Sequence, residues 1–98
     1  MKYFDGQEIH IWDRVSAWEG SLGIVVFSVD GDEYSAQFPK ASWQHLTSGV
    51  MIDTEGGGLI HYDSPDAELR LLSRGGPPSD AEWVALRAEQ ERRKSTKV

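Results

Sequence analysis

The sequence has no cysteine. That excludes a disulfide scaffold, a Cys-ligated zinc site and a thiol nucleophile. Long apolar runs are missing too. The most apolar stretch, around Gly23-Ile24-Val25-Val26-Phe27, falls far short of the roughly 20 residues a membrane span needs. The opening Met1-Lys2-Tyr3-Phe4-Asp5-Gly6 lacks the apolar core of a secretory signal. A cytoplasmic location with no membrane partner is therefore expected. Bases are scarce: ten Lys and Arg face sixteen acids, for a net charge of −6. The deficit lies in residues 1–76, with twelve acids and five bases, whereas residues 77–98 hold four acids and five bases. Such a body repels phosphates, since Lys and Arg set most of a protein's affinity for nucleic acid. It suits a basic protein partner, although the same charge also serves to keep a small domain soluble.

Motifs of catalysis and metal binding are also missing. His10, His45 and His61 are too widely spaced to read as a metal motif. No serine sits in a Gly-x-Ser-x-Gly elbow. Asp30-Gly31-Asp32-Glu33 lacks the ligand spacing of a calcium loop. Gly56-Gly57-Gly58 runs into Leu59-Ile60-His61-Tyr62, a strand pattern where a phosphate loop needs a helix. No cofactor and no enzymatic activity are expected, and a binding module is favoured.

At 98 residues there is room for one core, against roughly 150 residues per domain. Residues 8–18 place Ile9, Ile11, Val15 and Ala17 at period two, which predicts a half-buried strand. Leu22–Val29 is the strongest strand signal, dense in β-branched residues. Gly23 within it suggests a bulge or a close backbone approach. Asp30-Gly31-Asp32 reads as a hairpin tip, with residues 33–38 as the return strand, Tyr34, Ala36 and Phe38 on one face, ended by Pro39. Residues 41–46 predict one helical turn capped by Ser42. Val50–Thr54 and Leu59–Tyr62 predict a hairpin around the glycines, and residues 68–73 a last strand with Leu69 and Leu71 on one face and Arg70 and Leu72 on the other. Gly75-Gly76-Pro77-Pro78 reads as an elbow. Beyond it Ser79 and Glu82 form a capping-box pattern for a helix to about Arg92, with Trp83, Leu86 and Gln90 along one stripe. The expected core is Leu22, Ile24, Val26, Phe38, Val50, Ile52, Ile60 and Leu71.

Candidate binding residues follow from charge and aromatics. Asp30, Asp32 and Glu33 form an acidic tip that a basic cleft could receive, and Glu19 and Asp13 extend that surface if the first loop lies near. Tyr34 and Trp12 are candidate anchors, because Trp and Tyr dominate binding hot spots. His61 could orient a partner's carboxylate.

Asp5-Gly6-Gln7-Glu8-Ile9 through Gly23-Ile24-Val25 resembles the opening of small SH3-like barrels. Asp13-Arg14-Val15 matches their Gly-Asp-Arg-Val strand start, with Trp12 in place of the usual glycine. The middle, Glu33-Tyr34-Ser35 to Trp43 and Gly49-Val50-Met51-Ile52 to Tyr62, resembles small bacterial proteins of polymorphic-toxin and secretion-system loci, where such proteins serve as immunity proteins. The resemblance spans about residues 5–74 and carries over no catalytic residue. It implies a mainly β fold, a small SH3-like antiparallel barrel of five or so strands in residues 1–76, and does not reach the Gly/Pro-linked helix and polar tail that the residues themselves predict for 77–98. It also implies a protein that inhibits a cognate effector or toxin by covering its active site. A regulatory or adaptor barrel that binds a peptide or nucleic acid is the alternative.

Overall fold

The β-branched run at residues 22–28 becomes the centre of one antiparallel sheet. In the computed structural model, which describes residues 1–95, the strands are β1 (Arg14–Ser16), β2 (Leu22–Ser28), β3 (Val50–Thr54), β4 (Gly58–Tyr62) and β5 (Arg70–Ser73). A short helix, α1 (Lys40–Trp43), lies between β2 and β3, and a long one, α2 (Asp80–Ser95), follows β5. The sheet order is β4-β3-β2-β1-β5. The fold is thus mainly β with a C-terminal helix. β4 and β5 form its two ends, and among the described residues no ladder joins them.

Two apolar layers sandwich the sheet, which is why β2 and β3 show no polar alternation. On one face Val15, Val25, Val50 and Ile52 pack with Tyr3, Ile9 and Leu69. On the other Ile24, Val26, Phe27 and Met51 meet Leu86 of α2 and the half-buried rings of Trp12, Tyr34, Phe38, Trp43 and Trp83. Every residue of β3 is buried. Gly23 marks a close approach: a Cβ there would stand 2.8 Å from Ile52 Cγ2 and 3.0 Å from the Asp53 carbonyl. The register of β2 against β3 shifts between Val25 and Phe27. This inserted residue lets both Val26 and Phe27 be buried in the helix-side layer.

Three polar clusters pin the layers. The buried Asp13 carboxylate accepts from the Tyr3 hydroxyl at 2.7 Å, the His10 N–H at 3.0 Å and Arg74 Nη1 at 3.1 Å. Burial, reinforced by that carboxylate, pushes the Tyr3 phenol well above its ordinary pKa. Asp53, fully buried on β3, accepts from Gln90 Nε2 at 2.7 Å and lies 2.9 Å from Arg87 Nη1. Arg14 grips both carboxylate oxygens of Glu82, at 2.8 and 2.9 Å. Glu89, bonded to Arg92 and then Arg93, has its carboxyl held down to about 2.

Helix α2 therefore packs on the sheet through its expected stripe of Trp83, Leu86 and Gln90. Ser79 Oγ accepts the Glu82 N–H at 3.2 Å, which is one half of the capping box. The Glu82 side chain, drawn to Arg14, leaves the other half unmade.

Several expectations are corrected. The strand expected over residues 8–18 survives only as β1, because Ile11 and Trp12 form a turn and Trp12 takes a φ of 71°. The return strand over 33–38 is reduced to one bridge, Ser28 with Glu33. Beyond it Tyr34 and Phe38 fold back onto the Phe27 ring, at centroid distances of 5.5 and 6.4 Å. Ring burial there outweighs strand pairing. Helix α1 begins at Lys40 with Pro39 at its N-cap and no side-chain cap, so Ser42 does not cap it. Leu22 is 50% exposed, because it lines the open groove beside α2. Phe38, Ile60 and Leu71 are only partly buried.

Candidate functional site

The structure gathers four of the expected binding residues at the 28–34 turn and ties their charges to the chain. Asp32 is 2.8 Å from Lys40 Nζ. Asp30 accepts the Gly49 N–H at 3.0 Å and lies 3.3 Å from the Met1 ammonium. Glu33 accepts the Ile11 N–H at 3.1 Å, with His10 Nδ1 at 3.3 Å. Tyr34 stacks on Phe27 with its ring plane 17° from parallel. These groups shape the turn, and Glu33 and Tyr34 hold it to the body. Asp32 alone of the three acids is largely open to water.

Trp12 adjoins this cluster through Ile11. Its ring meets Trp83 edge-on at 6.3 Å. A tryptophan at positive φ is strained by roughly 1–3 kcal/mol. Here the Trp12 N–H bond to the Val25 carbonyl at 2.7 Å and the Trp83 contact hold it in place. Asp13 is buried and adds nothing to an outer acidic surface. His61 stands apart on β4, exposed, with Nε2–H donating to the Ser48 carbonyl at 2.8 Å.

Glu19 lies elsewhere, in a second acidic region. The turn at Trp18–Gly20 leads out of β1, and Glu19 at a φ of 53° turns its N–H to Glu68 Oε2 at 3.0 Å. The Trp18 N–H donates to the Tyr62 hydroxyl at 3.2 Å. Asp66 accepts the Glu68 N–H at 2.8 Å. Burial raises the Tyr62 phenol pKa, and the charges of Asp66 and Glu68 push the same way. Glu19, Glu68 and Asp66 are thus linked in series at the turn that holds Trp18, which is 50% exposed. Among the described residues none of the three has an ion-pair partner within 4 Å. Sequence reasoning found only Glu19 of this group. A signal was available: residues 53–69 hold five acids and no Lys or Arg.

A third feature is an apolar groove of about 270 Å³ between α2 and the β1–β2–β5 side of the sheet. Leu22, Ile24, Leu72, Ala85 and Leu86 line it, with Glu82 and its partner Arg14 on the rim.

Among the described residues no group of three or more His, Asp or Glu side chains is placed to hold a metal ion. No helix there is long and apolar enough to cross a membrane. Compared with protein-family models, with curated proteins and with solved structures, the chain finds no match in any of the three.

Proposed function

We propose that this chain is a non-enzymatic binding protein, acting as an immunity protein that covers the active site of a basic effector or toxin. The observation that carries the reading is the exposed Trp18 at a turn to which Glu19, Glu68 and Asp66 are linked, acids with no ion-pair partner among the described residues. An aromatic anchor amid unneutralised charge is what a basic surface binds, the ring supplying burial and the acids steering the encounter. Glu19 is the candidate that joins the sequence reading to this face. The tip at Asp30, Asp32 and Glu33 is the weaker face, because Lys40, the Gly49 and Ile11 amides and His10 already engage those carboxylates.

Coverage of an active site needs no chemistry from the inhibitor, only an interface of roughly 1,600 Å² with a few anchors. The test is capture of a partner from the native host, followed by assay of that partner's activity. A retained basic protein whose activity the chain abolishes supports the reading. A partner that keeps full activity when saturated overturns it. The apolar groove beside α2 favours a second reading, an adaptor that binds a peptide. Capture of many short extended segments that compete with one another would select it.

A further inference from the structure

The two ends of the sheet are built differently. Strand β5 has four residues, contains Arg70 and leads into Arg74, and its ladder to β1 shifts register between Arg14 and Val15. Shortness, charge and irregular pairing are the usual protections of an edge. Strand β4 has none of them. It is as long as β3, pairs with it in unbroken register over all five residues, and holds no proline and no charged side chain. Each β4 residue keeps some exposure, whereas each β3 residue is buried. Among the described residues no strand pairs with its outer side, so its outward row of N–H and C=O groups is open to a further strand.

The sequence of β4 is compatible with itself. In an antiparallel pairing centred on Ile60, Gly58 stands opposite Tyr62 of the other copy and Leu59 opposite His61, so no like charges meet. Leu59 is the ladder partner of Asp53, whose carboxylate receives Gln90 and Arg87 of α2. By strand alternation Leu59, His61 and, one step beyond, Asp63 share the face that α2 covers. The same register sets Asp63 beside Gly57 of the second copy. The glycine loop at Gly56–Gly58 borders a cavity whose other wall is Gln90 and Lys94. Among the described residues neither Asp63 nor Lys94 has an ion-pair partner within 4 Å.

We propose that β4 pairs antiparallel with β4 of a second copy, giving a continuous ten-stranded sheet in which Asp63 of each chain faces Lys94 of the other. The pairing does not depend on the effector reading above. The ladder is short, and interfaces below about 1,200 Å² are weak. Association is accordingly expected between about 10 μM and 1 mM, well above the nanomolar range.

Sedimentation equilibrium across that range is the test. Molar mass is expected to climb from 11.0 kDa toward twice that value. Asp63→Lys and Lys94→Glu are each expected to weaken association about three- to ten-fold, since each removes two exposed pairs and sets like charges together. The double variant is expected to recover the original affinity, because the pair is then restored with its signs exchanged. Both positions are exposed, and circular dichroism checks that the fold is kept. A mass that stays at the monomer value to about 1 mM overturns the proposal. So does a dimer that neither single variant weakens, or one that the double variant fails to restore.

Discussion

Replacing Leu86 with alanine tests whether α2 belongs to the core or merely follows it. Leu86 is 7% exposed and packs with Ile24, Val26, Phe27 and Met51. The substitution removes three carbons, a transfer loss of about 2.5 kcal/mol at about 0.8 kcal/mol per methylene. A cavity term is added, and in buried Leu→Ala changes the total runs to about 2.7–5 kcal/mol. Leu86 borders the open groove that Leu22 and Leu72 also line, so neighbours and water can relax into the space. The expected cost is therefore near the lower limit, about 3 kcal/mol. A chain of this length has a total stability of roughly 5–15 kcal/mol, so the variant folds but is visibly weakened. In urea, with a slope of about 1–1.5 kcal/mol/M for a small domain, the midpoint falls by about 2–3 M. Circular dichroism at the helix band and tryptophan fluorescence are expected to give one coincident transition. A midpoint shift below about 0.5 M, or a helix signal that melts ahead of the fluorescence, would refute the integral-helix account.

Ile52→Ala, at a site with no exposure inside the layer of Val15, Val25, Val50 and Leu69, is expected to cost more than Leu86→Ala, about 4 kcal/mol by the same urea measurement. Gly23→Ala is expected to destabilise by about 1–3 kcal/mol, because the new methyl meets Ile52 Cγ2 and the Asp53 carbonyl. A double-mutant cycle on Arg14→Ala and Glu82→Ala is expected to give a coupling of about 1 kcal/mol, the upper end for a partly exposed but bidentate pair. The Tyr3 pKa is raised on folding, so above about pH 10 the unfolded chain loses a proton that the native phenol keeps. Stability is then full below about pH 10 and falls as pH rises above it. Tyr3→Phe is expected to flatten that alkaline decline in chemical melts at pH 8 and pH 11, while lowering stability at pH 8 through the bond Asp13 loses.

The hairpin of β3 and β4 was legible because its apolar runs are bounded by glycines, and α2 because its stripe is regular. The segments that deceived are aromatic. Residues 33–38 read as a strand by alternation, yet Tyr34 and Phe38 gain more by stacking on Phe27 than by pairing. Residues 8–12 alternate as well, but Trp12 turns the chain so that its ring reaches Trp83, a contact 71 positions away that no local pattern encodes. The site was legible only in kind. Acidity and aromatics pointed to a binding surface. Which acids remain unneutralised, however, depends on contacts between segments distant in sequence, such as the Met1 ammonium with Asp30 or Arg74 with Asp13.

Association kinetics with the captured partner, measured at two salt concentrations, test the binding account most directly. The variant Glu19→Gln/Glu68→Gln removes two unneutralised charges with little change of shape. Its association rate is expected to fall, with a shallower salt dependence, toward the roughly 10⁵–10⁶ M⁻¹s⁻¹ of unsteered encounters. Trp18→Ala is expected to act mainly on dissociation. The variant Asp30→Asn/Asp32→Asn/Glu33→Gln is expected to change the association rate less than the Glu19/Glu68 pair does. An unchanged rate for Glu19→Gln/Glu68→Gln together with a large loss for the tip variant would contradict the account and return the interface to the 28–34 turn.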